Sequence, residues 1–201
     1  CTRDQVSVIG LDSDRVHLSD GTHLTADAIV IAGGFAASRL AADAGMRVDD
    51  AGRLIVDSAL RVADYPDIFG VGDSAVVMLD DGTVPRMACA TAMPMGAHAA
   101  DAIAALLHGD TPQPFRFGYV VRCISLGRRS GLVQRVDRAD SPIESVFTGW
   151  VGAWVKEFIC TGTVLALKLE RWFGPLYIWH KPPAPRARSF VRESSTGRVS
   201  E

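Results

Sequence analysis

Apolar and polar residues alternate in three short segments at the start of the chain. The segments cover residues 4–12, 14–20 and 21–25. Alternation of this kind predicts strands with one exposed face, and Asp20-Gly21 predicts a turn between the second and the third. Residues 27–34, DAIVIAGG, form a continuous apolar run that ends in two glycines. This run predicts a strand that is buried on both faces.

The next segments predict a short helix and two more strands. Residues 37–45 favour a short helix closed by Gly45, and residues 53–62 favour a strand. Residues 65–75, YPDIFGVGDSA, run from a proline turn into a buried strand and then reach Gly72-Asp73. The Gly-Asp pair should therefore lie at the end of a strand.

A longer helix is predicted from Thr91, which can cap it, to Gly109. Pro94 falls in its first turn, where proline is tolerated. Apolar residues recur at helical spacing and predict the buried face, which consists of Ala99, Ala102, Ile103, Leu106 and Leu107. His98 and Asp101 should then lie on the exposed face.

The remaining third of the chain predicts a hairpin followed by a helix. Two β-rich runs, residues 116–127 and 131–137, flank the turn-like sequence GRRSG. The helix is expected over residues 148–160, and residues 164–173 fit either a strand or a helix. From Pro182 onward the Pro-, Arg- and Ser-rich sequence predicts an irregular tail.

Three large aromatic residues define one face of that last helix. They are Trp150, Trp154 and Phe158. Because such side chains are hard to leave in water, we expect this face to be buried against the hairpin of residues 116–138. A membrane span is not expected here, since Lys156 and Glu157 interrupt the apolar segment.

Composition places the chain among folded globular proteins. The 201 residues carry a formal net charge of −2 and are 48% hydrophobic, enough for one domain or one and a half. Residues 1–114 hold 7 Lys and Arg against 16 Asp and Glu, whereas residues 115–201 hold 14 against 7. The change of sign places a domain boundary at residues 108–115.

An acidic chain without an aromatic stacking platform argues against nucleic acid as a partner.

Several kinds of site are disfavoured by the spacing of the reactive residues. The four cysteines lie far apart without a CxxC, so a metal site or a local redox dithiol is not expected, and the compartment should be reducing. The histidines show no recurring partner spacing, and the chain has neither GxSxG nor a phosphate-binding GxxxxGK[ST]. Nucleophilic catalysis is therefore not predicted.

Gly72-Asp73 is the strongest chemical feature. A carboxylate at the carboxyl end of a sheet can accept hydrogen bonds from sugar-like hydroxyls, and a glycine lets the backbone approach a ligand closely. By itself, the pair is equally compatible with a simple turn at a strand end. Its context includes DAIVIAGG upstream and the helix start ACATAMPMG downstream.

In this order the segments resemble the carboxyl-terminal half of the pyridine nucleotide and FAD-dependent oxidoreductases, which are flavoproteins with two dinucleotide-binding domains. Within that family the resemblance is to the type II NADH dehydrogenase-like branch. The resemblance covers roughly residues 24–132. It implies an α/β fold with a smaller α+β interface-type domain. Residues 1–32 would end the nicotinamide-binding domain, 33–112 would be the second segment of the FAD-binding domain, 113–181 the α+β domain, and 182–201 the tail.

The resemblance also implies a set of cofactor-binding residues. Gly72 and Asp73 would hold the ribityl and pyrophosphate region of FAD, with Asp73 accepting from a ribityl hydroxyl. Backbone N–H groups at Thr91 and Ala92 would face the flavin, where a helix amino terminus stabilises negative charge. Gly33 and Gly34 would form the turn near the adenine half. For Thr91 plain capping, and for the glycine pair a strand-ending turn, are the alternatives.

The activity implied is NAD(P)H oxidation through FAD, with electrons passing to an acceptor that stays open. No GxGxxG occurs in the chain, so we expect the pyrophosphate loops to lie in an amino-terminal portion of the same protein. Quinone-reducing members of the family often carry Ala-Gln where this chain has Thr91, which leaves quinone open as the acceptor.

Partners and location follow from the same evidence. Aromatic residues lie among arginines and lysines in residues 171–192, a composition that suits peripheral membrane contact or, alternatively, an ordinary domain surface. The expected location is cytoplasmic or membrane-peripheral, with a homodimer as a candidate assembly. The alternative function is a noncatalytic interaction or dimerisation module derived from a flavoprotein.

Overall fold

The computed structural model describes residues 4–174 and 178–183. The chain divides into two compact units, Cys1–Ala36 and Ala37–Glu201. The first unit is an antiparallel meander in which three strands pair in chain order. They are β1 (Val8–Leu11), β2 (Arg15–Leu18) and β3 (His23–Thr25). The predicted turn is confirmed, because Gly21 has a φ of +80° and the Asp20 carboxylate accepts a 2.9 Å hydrogen bond from the Thr22 N–H.

Residues 27–34 do not form the strand that their apolar sequence predicts. They follow an irregular path, with Val30 90% exposed and Ile31 71% exposed. A strand buried on both faces needs a neighbour along its edges and packing on each side. Among the described residues of this unit, β1, β2 and β3 pair only with one another, so the expected burial is wrong for this chain.

The second unit begins with short elements that surround its core. Helix α1 (Leu40–Asp43) precedes Gly45, whose φ is +75°. The strand expected at residues 53–62 is two short strands, because the Asp57 carboxylate accepts hydrogen bonds from the Ala59 and Arg61 N–H groups and turns the chain between them. Strand bounds are β4 (Leu54–Ile55), β5 (Arg61–Val62), β6 (Tyr65–Phe69) and β7 (Ala75–Val76). Strand β4 pairs parallel with β7, and β5 pairs antiparallel with β6.

Helix α2 (Cys89–Leu107) packs against this core. It begins two residues before the predicted start, and it ends as predicted before Gly109, whose φ is +81°. Its buried face is rotated from the predicted one and consists of Thr91, Pro94, Met95, His98, Ala99 and Ala102. The expectation that His98 is exposed is therefore wrong: it is 7% exposed, and its Nε2 lies 3.0 Å from the Gln113 carbonyl oxygen.

The core of the second unit joins α2, the short strands and an extended aromatic segment. The segment contributes Phe115, Phe117 and Tyr119, all buried. The rings of Phe117 and Tyr119 meet edge to face with centroids 4.8 Å apart. Aromatic pairs of this geometry add stability beyond the area they bury.

A three-stranded antiparallel sheet follows, in the order β10-β9-β8. Its strands are β8 (Val121–Ser125), β9 (Gly131–Val136) and β10 (Pro142–Thr148). The predicted hairpin is confirmed as β8 and β9, joined at residues 126–130. Strand β10 was not expected, since its sequence lacks a continuous apolar pattern.

Helix α3 (Gly149–Phe173) packs across this sheet and has 25 residues. It continues through the predicted end at residues 161–162 and resolves the ambiguous segment 164–173 as helix. Close approach to the sheet is possible because glycines meet there: a Cβ at Gly152 would lie 3.0 Å from the Phe147 carbonyl oxygen and would overlap Gly131. Gly152 is the buried residue of this helix.

The aromatic face of α3 is exposed, and the prediction of its burial is wrong. Trp150, Trp154 and Phe158 are 74%, 65% and 68% exposed. The sheet contacts α3 through the glycine side, so the aromatic side has no protein surface to cover it among the described residues. By length and composition α3 is also able to cross a membrane, contrary to the expectation drawn from Lys156 and Glu157.

The predicted irregular tail lies mostly outside the described residues. The structure describes Pro182 and Pro183 of it, and the preceding residues 178–181 likewise have no regular structure. Within them the Trp179 Nε1 donates a 2.9 Å hydrogen bond to the Arg116 carbonyl oxygen, and the Lys181 ammonium lies 4.0 Å from the Trp179 ring centroid. The residues just before the tail therefore pack on the aromatic segment.

Candidate functional site

The Gly72-Asp73 turn follows β6 and leads into β7. Residues Gly72–Ser74 form a 3₁₀ turn, and the φ of Gly72 is +68°, a conformation that favours glycine. Just before it, a Cβ at Gly70 would lie 2.8 Å from Val56 Cγ1, so the chain runs tightly over the core at this point. These constraints fix the turn and leave the Asp73 side chain exposed.

The amino terminus of α2 lies beside this turn. A Cβ at Gly72 would lie 3.5 Å from the Ala92 Cβ, which is ordinary van der Waals contact. The structure thus brings together four of the six predicted site residues: Gly72, Asp73, Thr91 and Ala92. An exposed carboxylate and a helix terminus with its positive dipole end therefore occupy one edge of the unit.

Thr91 is 2% exposed and acts within the helix start. Its hydroxyl lies 2.8 Å from both the Arg86 and the Ala88 carbonyl oxygens. The N–H groups of Thr91 and Ala92 both donate to the Ala88 carbonyl oxygen. Since α2 begins at Cys89, the amides that lack an intrahelical acceptor are those of Cys89 and Ala90.

Gly33 and Gly34 belong to the other compact unit. Both are exposed, and Gly34 has a φ of +84°. The positive φ agrees with a turn that requires glycine. Their interpretation as part of a cofactor site stays a prediction.

A cavity of about 440 Å³ opens next to the amino terminus of α2. We call it the α2–α3 cavity, because its walls are the start of α2, residues 117–123 and the middle of α3. Apolar side chains dominate its lining, including Met87, Met93 and Ile159. The sequence offered no signal for it, since the walls come from segments far apart in the chain.

A charged cluster supports the wall of this cavity. The Asp140 carboxylate, 15% exposed, accepts a 2.7 Å hydrogen bond from Arg122 and lies 3.3 Å from the Arg86 guanidinium. The Arg86 guanidinium also stacks 4.9 Å from the Tyr119 ring centroid, and its backbone N–H donates to the Tyr119 hydroxyl at 2.8 Å. Burial raises the pKa of the Tyr119 hydroxyl, which keeps it protonated as a neutral donor and acceptor.

A family model described as pyridine nucleotide-disulphide oxidoreductase matches residues 2–102, which is half of the chain. The chain belongs to this family. The match includes Gly33, Gly34 and the whole Gly72-Asp73 and Thr91-Ala92 region.

Relatives with curated names agree with the family. NADH dehydrogenase-like proteins from two strains of Mycobacterium tuberculosis are 40% identical to the chain over 98 residues. These residues cover 49% of this chain and 24% of each relative. The match therefore spans about a quarter of the length of the curated relatives.

A solved structure of similar fold supports the α/β class. A sulfide:quinone oxidoreductase from Aquifex aeolicus is 18% identical and covers 90% of this chain and 49% of its own, with a TM-score of 0.52. A FAD-dependent pyridine nucleotide-disulphide oxidoreductase from Desulfovibrio vulgaris is 27% identical over 64% of this chain and 32% of its own, with a TM-score of 0.42. The predicted α/β class is confirmed.

The residues of this family member fit a dinucleotide such as FAD in their chemistry. A hydroxyl-bearing chain needs acceptors, which the exposed Asp73 carboxylate supplies, and negative charge needs N–H donors, which Cys89 and Ala90 supply. The sequence predicted a helix start at Thr91, because threonine is a common capping residue, and these two amides were therefore missed. The N-cap is Ala88, whose side chain makes no capping hydrogen bond.

Proposed function

We propose that this chain is the carboxyl-terminal part of an FAD-dependent NAD(P)H oxidoreductase of the NADH dehydrogenase-like kind. In this proposal residues 1–32 end the nicotinamide-binding domain, residues 33–112 complete the FAD-binding domain, and residues 113–181 form the terminal α+β domain. The pyrophosphate-binding glycine loops come from a segment outside these 201 residues. The bound flavin would supply electron transfer from the nicotinamide to a further acceptor.

One observation carries the proposal: the Gly72-Asp73 turn lies in contact with the start of α2 in a chain of this family. The 40% identity to an NADH dehydrogenase-like protein supports the same assignment. A simple strand-end turn would explain the φ of Gly72. It would give no reason for an exposed carboxylate beside a helix start whose first amides are free of intrahelical acceptors.

Each residue has a definite role in this mechanism. FAD, if bound by these residues, would supply the redox chemistry, namely hydride acceptance from a nicotinamide and onward electron transfer. Gly72 lets the backbone approach the cofactor, and Asp73 accepts a hydrogen bond from a ribityl hydroxyl. The amides of Cys89 and Ala90, at the positive end of the α2 dipole, favour negative charge on the ring system. Thr91 and Ala92 hold that helix start in place.

The test is the affinity of the full-length protein for FAD. Asp73→Ala removes a hydrogen bond to a charged acceptor, worth about 1.5–3 kcal/mol, so the dissociation constant should rise roughly tenfold to a hundredfold. Asp73→Asn should be intermediate, because its amide oxygen still accepts a hydrogen bond without the charge. Flavin fluorescence during titration of the apoprotein measures both constants.

Asp67→Ala is the matched control, since Asp67 is also exposed and lies on β6, six residues earlier. Its FAD affinity and the melting temperature of each flavin-free variant should stay unchanged. Unchanged FAD affinity in Asp73→Ala would refute the role of this carboxylate. A full-length preparation that carries no flavin and binds none would favour the noncatalytic interaction module instead.

The glycine loops give a second test. If they lie outside these 201 residues, the chain alone should bind FAD weakly or not at all, because the pyrophosphate lacks its main donors. The chain is incubated with FAD, passed through a gel-filtration column, and its absorbance spectrum is recorded. Stoichiometric retained flavin would contradict this part of the proposal.

We also propose that α3 mediates peripheral membrane contact. Its exposed face carries Trp150, Trp154 and Phe158, and its far end carries Arg171 and Trp172, a distribution that suits a membrane interface. The opposite side packs on the sheet through Gly152. A helix held on a sheet in this way suits the surface of a bilayer better than its interior, where strand edges lack hydrogen-bond partners.

The test of membrane contact is sedimentation with anionic lipid vesicles. Trp154→Ala combined with Phe158→Ala should reduce the bound fraction strongly, because these two rings, stacked with centroids 6.0 Å apart, are the largest apolar part of the face. Phe35→Ala, also exposed but in the other unit, should bind like the unaltered protein. Deletion of residues 171–201 removes the basic end of α3 together with the tail and should weaken binding by about 1 kcal/mol for each basic residue near the surface. Vesicle binding that survives both changes would refute the contact.

A further inference from the structure

Three thiols from distant parts of the chain line the α2–α3 cavity. Cys89 is the first residue of α2, Cys123 lies in β8, and Cys160 lies in α3. All three are free thiols; Cys89 and Cys160 are exposed, and Cys123 is half-buried. The spacing in the sequence argued against a local dithiol, but the fold assembles a thiol cluster that no short motif could reveal.

Cys123 lies close enough to both other thiols to be influenced by them. Burial raises the pKa of the Cys123 thiol, and the neighbouring Cys160 and Cys89 raise it further. Cys160 has the larger influence of the two. Lys156 and Arg86, which also line the cavity, act in the opposite direction. Cys123 is therefore held as a neutral thiol between two accessible ones, and Cys160 is its stronger neighbour.

The described residues do not form a metal site around this cluster. Within the described ranges, no group of three or more His, Cys, Asp or Glu side chains is placed to hold one. Thiols that share a cavity without such convergence can still react with an oxidant one after the other, provided that the first is accessible and the second can reach it.

We propose that Cys160 and Cys123 are a peroxide-sensitive thiol pair that becomes a disulfide at the wall of the α2–α3 cavity. The exposed Cys160 thiolate attacks one oxygen of hydrogen peroxide or of an organic hydroperoxide, the O–O bond breaks, and hydroxide or alkoxide leaves, so that Cys160 becomes a sulfenic acid. The Cys123 sulfur then attacks the Cys160 sulfur, and water leaves with the Cys123 proton. Two thiols are oxidised, and the peroxide takes up the two electrons.

The disulfide would link β8 to α3, two elements that pack against each other and both line the cavity. Oxidation would then tie the helix with the exposed aromatic face to the sheet beneath it. Cys89 lies outside the pair because α3 packs against β8, which carries Cys123, whereas α2 does not pack closely against β8. The cross-link is reversible by thiol reductants, as is general for protein disulfides.

Peptide mapping of the 201-residue protein tests the pair. The protein is treated with dilute hydrogen peroxide, its remaining thiols are alkylated, and it is digested with trypsin without reduction. Arg128 and Lys156 lie between the two cysteines, so each falls in its own peptide. We expect one cross-linked species that joins the Cys123 and Cys160 peptides, and its loss after dithiothreitol treatment.

Three serine variants assign the roles. Cys160→Ser should leave Cys123 fully open to alkylation after peroxide treatment, because the accessible partner is gone. Cys123→Ser should leave a sulfenic acid on Cys160 that dimedone traps. Cys89→Ser is the matched control from the same cavity and should form the cross-link in undiminished yield.

Four results would overturn the proposal. They are a disulfide that includes Cys89, a disulfide between two molecules, oxidation of Cys160 in the unaltered protein without a cross-link, and no oxidation of either thiol at peroxide concentrations that oxidise free cysteine. Circular dichroism of each variant establishes that the fold is kept, so that a missing cross-link reports on the chemistry.

Discussion

The close approach of α3 to the sheet predicts an unusual response to alanine at Gly152. Alanine normally stabilises a helix interior relative to glycine by about 1 kcal/mol. At Gly152 the added Cβ would overlap the Gly131 carbonyl group and would lie 3.0 Å from the Phe147 carbonyl oxygen. All of these atoms belong to the backbone, so a flexible side chain cannot rotate away to make room.

The magnitude follows from the two opposing effects. Cβ lies 2.7 Å from the Gly131 carbonyl carbon, whereas ordinary contacts begin near 3.4 Å, so the helix must move out by several tenths of an ångström. Overpacking costs about 1–3 kcal/mol, and contacts with rigid backbone place this position at the upper end. After the gain of about 1 kcal/mol in helix propensity, Gly152→Ala should lower the free energy of unfolding by about 2 kcal/mol.

Urea denaturation followed by circular dichroism measures this free energy, and the same helix offers a control. A Cβ at Gly162 meets nothing within 4 Å, so Gly162→Ala should raise the free energy of unfolding by about 0.5–1 kcal/mol. The two variants make the same chemical change in one helix and should differ in sign. If Gly152→Ala stabilises the protein as Gly162→Ala does, α3 does not cross the sheet at the distance described.

Three further predictions concern stability. Trp154→Ala should leave the melting temperature nearly unchanged, because its ring is 65% exposed; a large drop would show that the ring is buried. Asp140→Asn should lower the free energy of unfolding by about 1–2 kcal/mol. The loss is smaller than for a fully buried pair because the Arg86 and Arg122 side chains are about one third exposed, and an unchanged free energy in urea denaturation would contradict a stabilising role of the cluster. Burial lowers the pKa of His98, so the unfolded state binds a proton on this residue first as the pH falls, and the free energy of unfolding should decrease below about pH 6.5. In urea denaturation, His98→Gln should lose less stability than the unaltered protein over that pH range, and an equal loss would refute this origin.

Local signals in the sequence were sufficient for two turns and for the end of α2. The Asp20-Gly21 turn, the hairpin of β8 and β9 and the end of α2 at Gly109 were all predicted correctly. Each depends on backbone conformation within a few residues, such as the positive φ of Gly21 and Gly109. Information of this range is fully contained in the local sequence.

Burial could not be predicted in the same way, because it depends on what packs against a segment. The apolar run of residues 27–34 and the aromatic face of α3 have the composition of core elements, yet both are exposed. His98 shows the opposite error: the Gln113 carbonyl group, 15 residues away, satisfies its Nε2 and allows it to be buried. In each case the deciding partner, or its absence among the described residues, lies outside the local pattern.

The candidate site illustrates both limits at once. Gly72-Asp73 was recognised from sequence because the pair follows an apolar strand, and the positive φ of Gly72 agrees with the use of glycine at this turn. The helix start was placed two residues late because Thr91 is a good capping residue by type, whereas its hydroxyl bonds back to the Arg86 and Ala88 carbonyl oxygens. That buried hydroxyl holds the turn before α2, so the free amides move to Cys89 and Ala90, beside the thiol cluster. Proposed cofactor binding and thiol chemistry therefore meet at one helix terminus, and variants at Cys89 must be tested for FAD affinity as well as for oxidation.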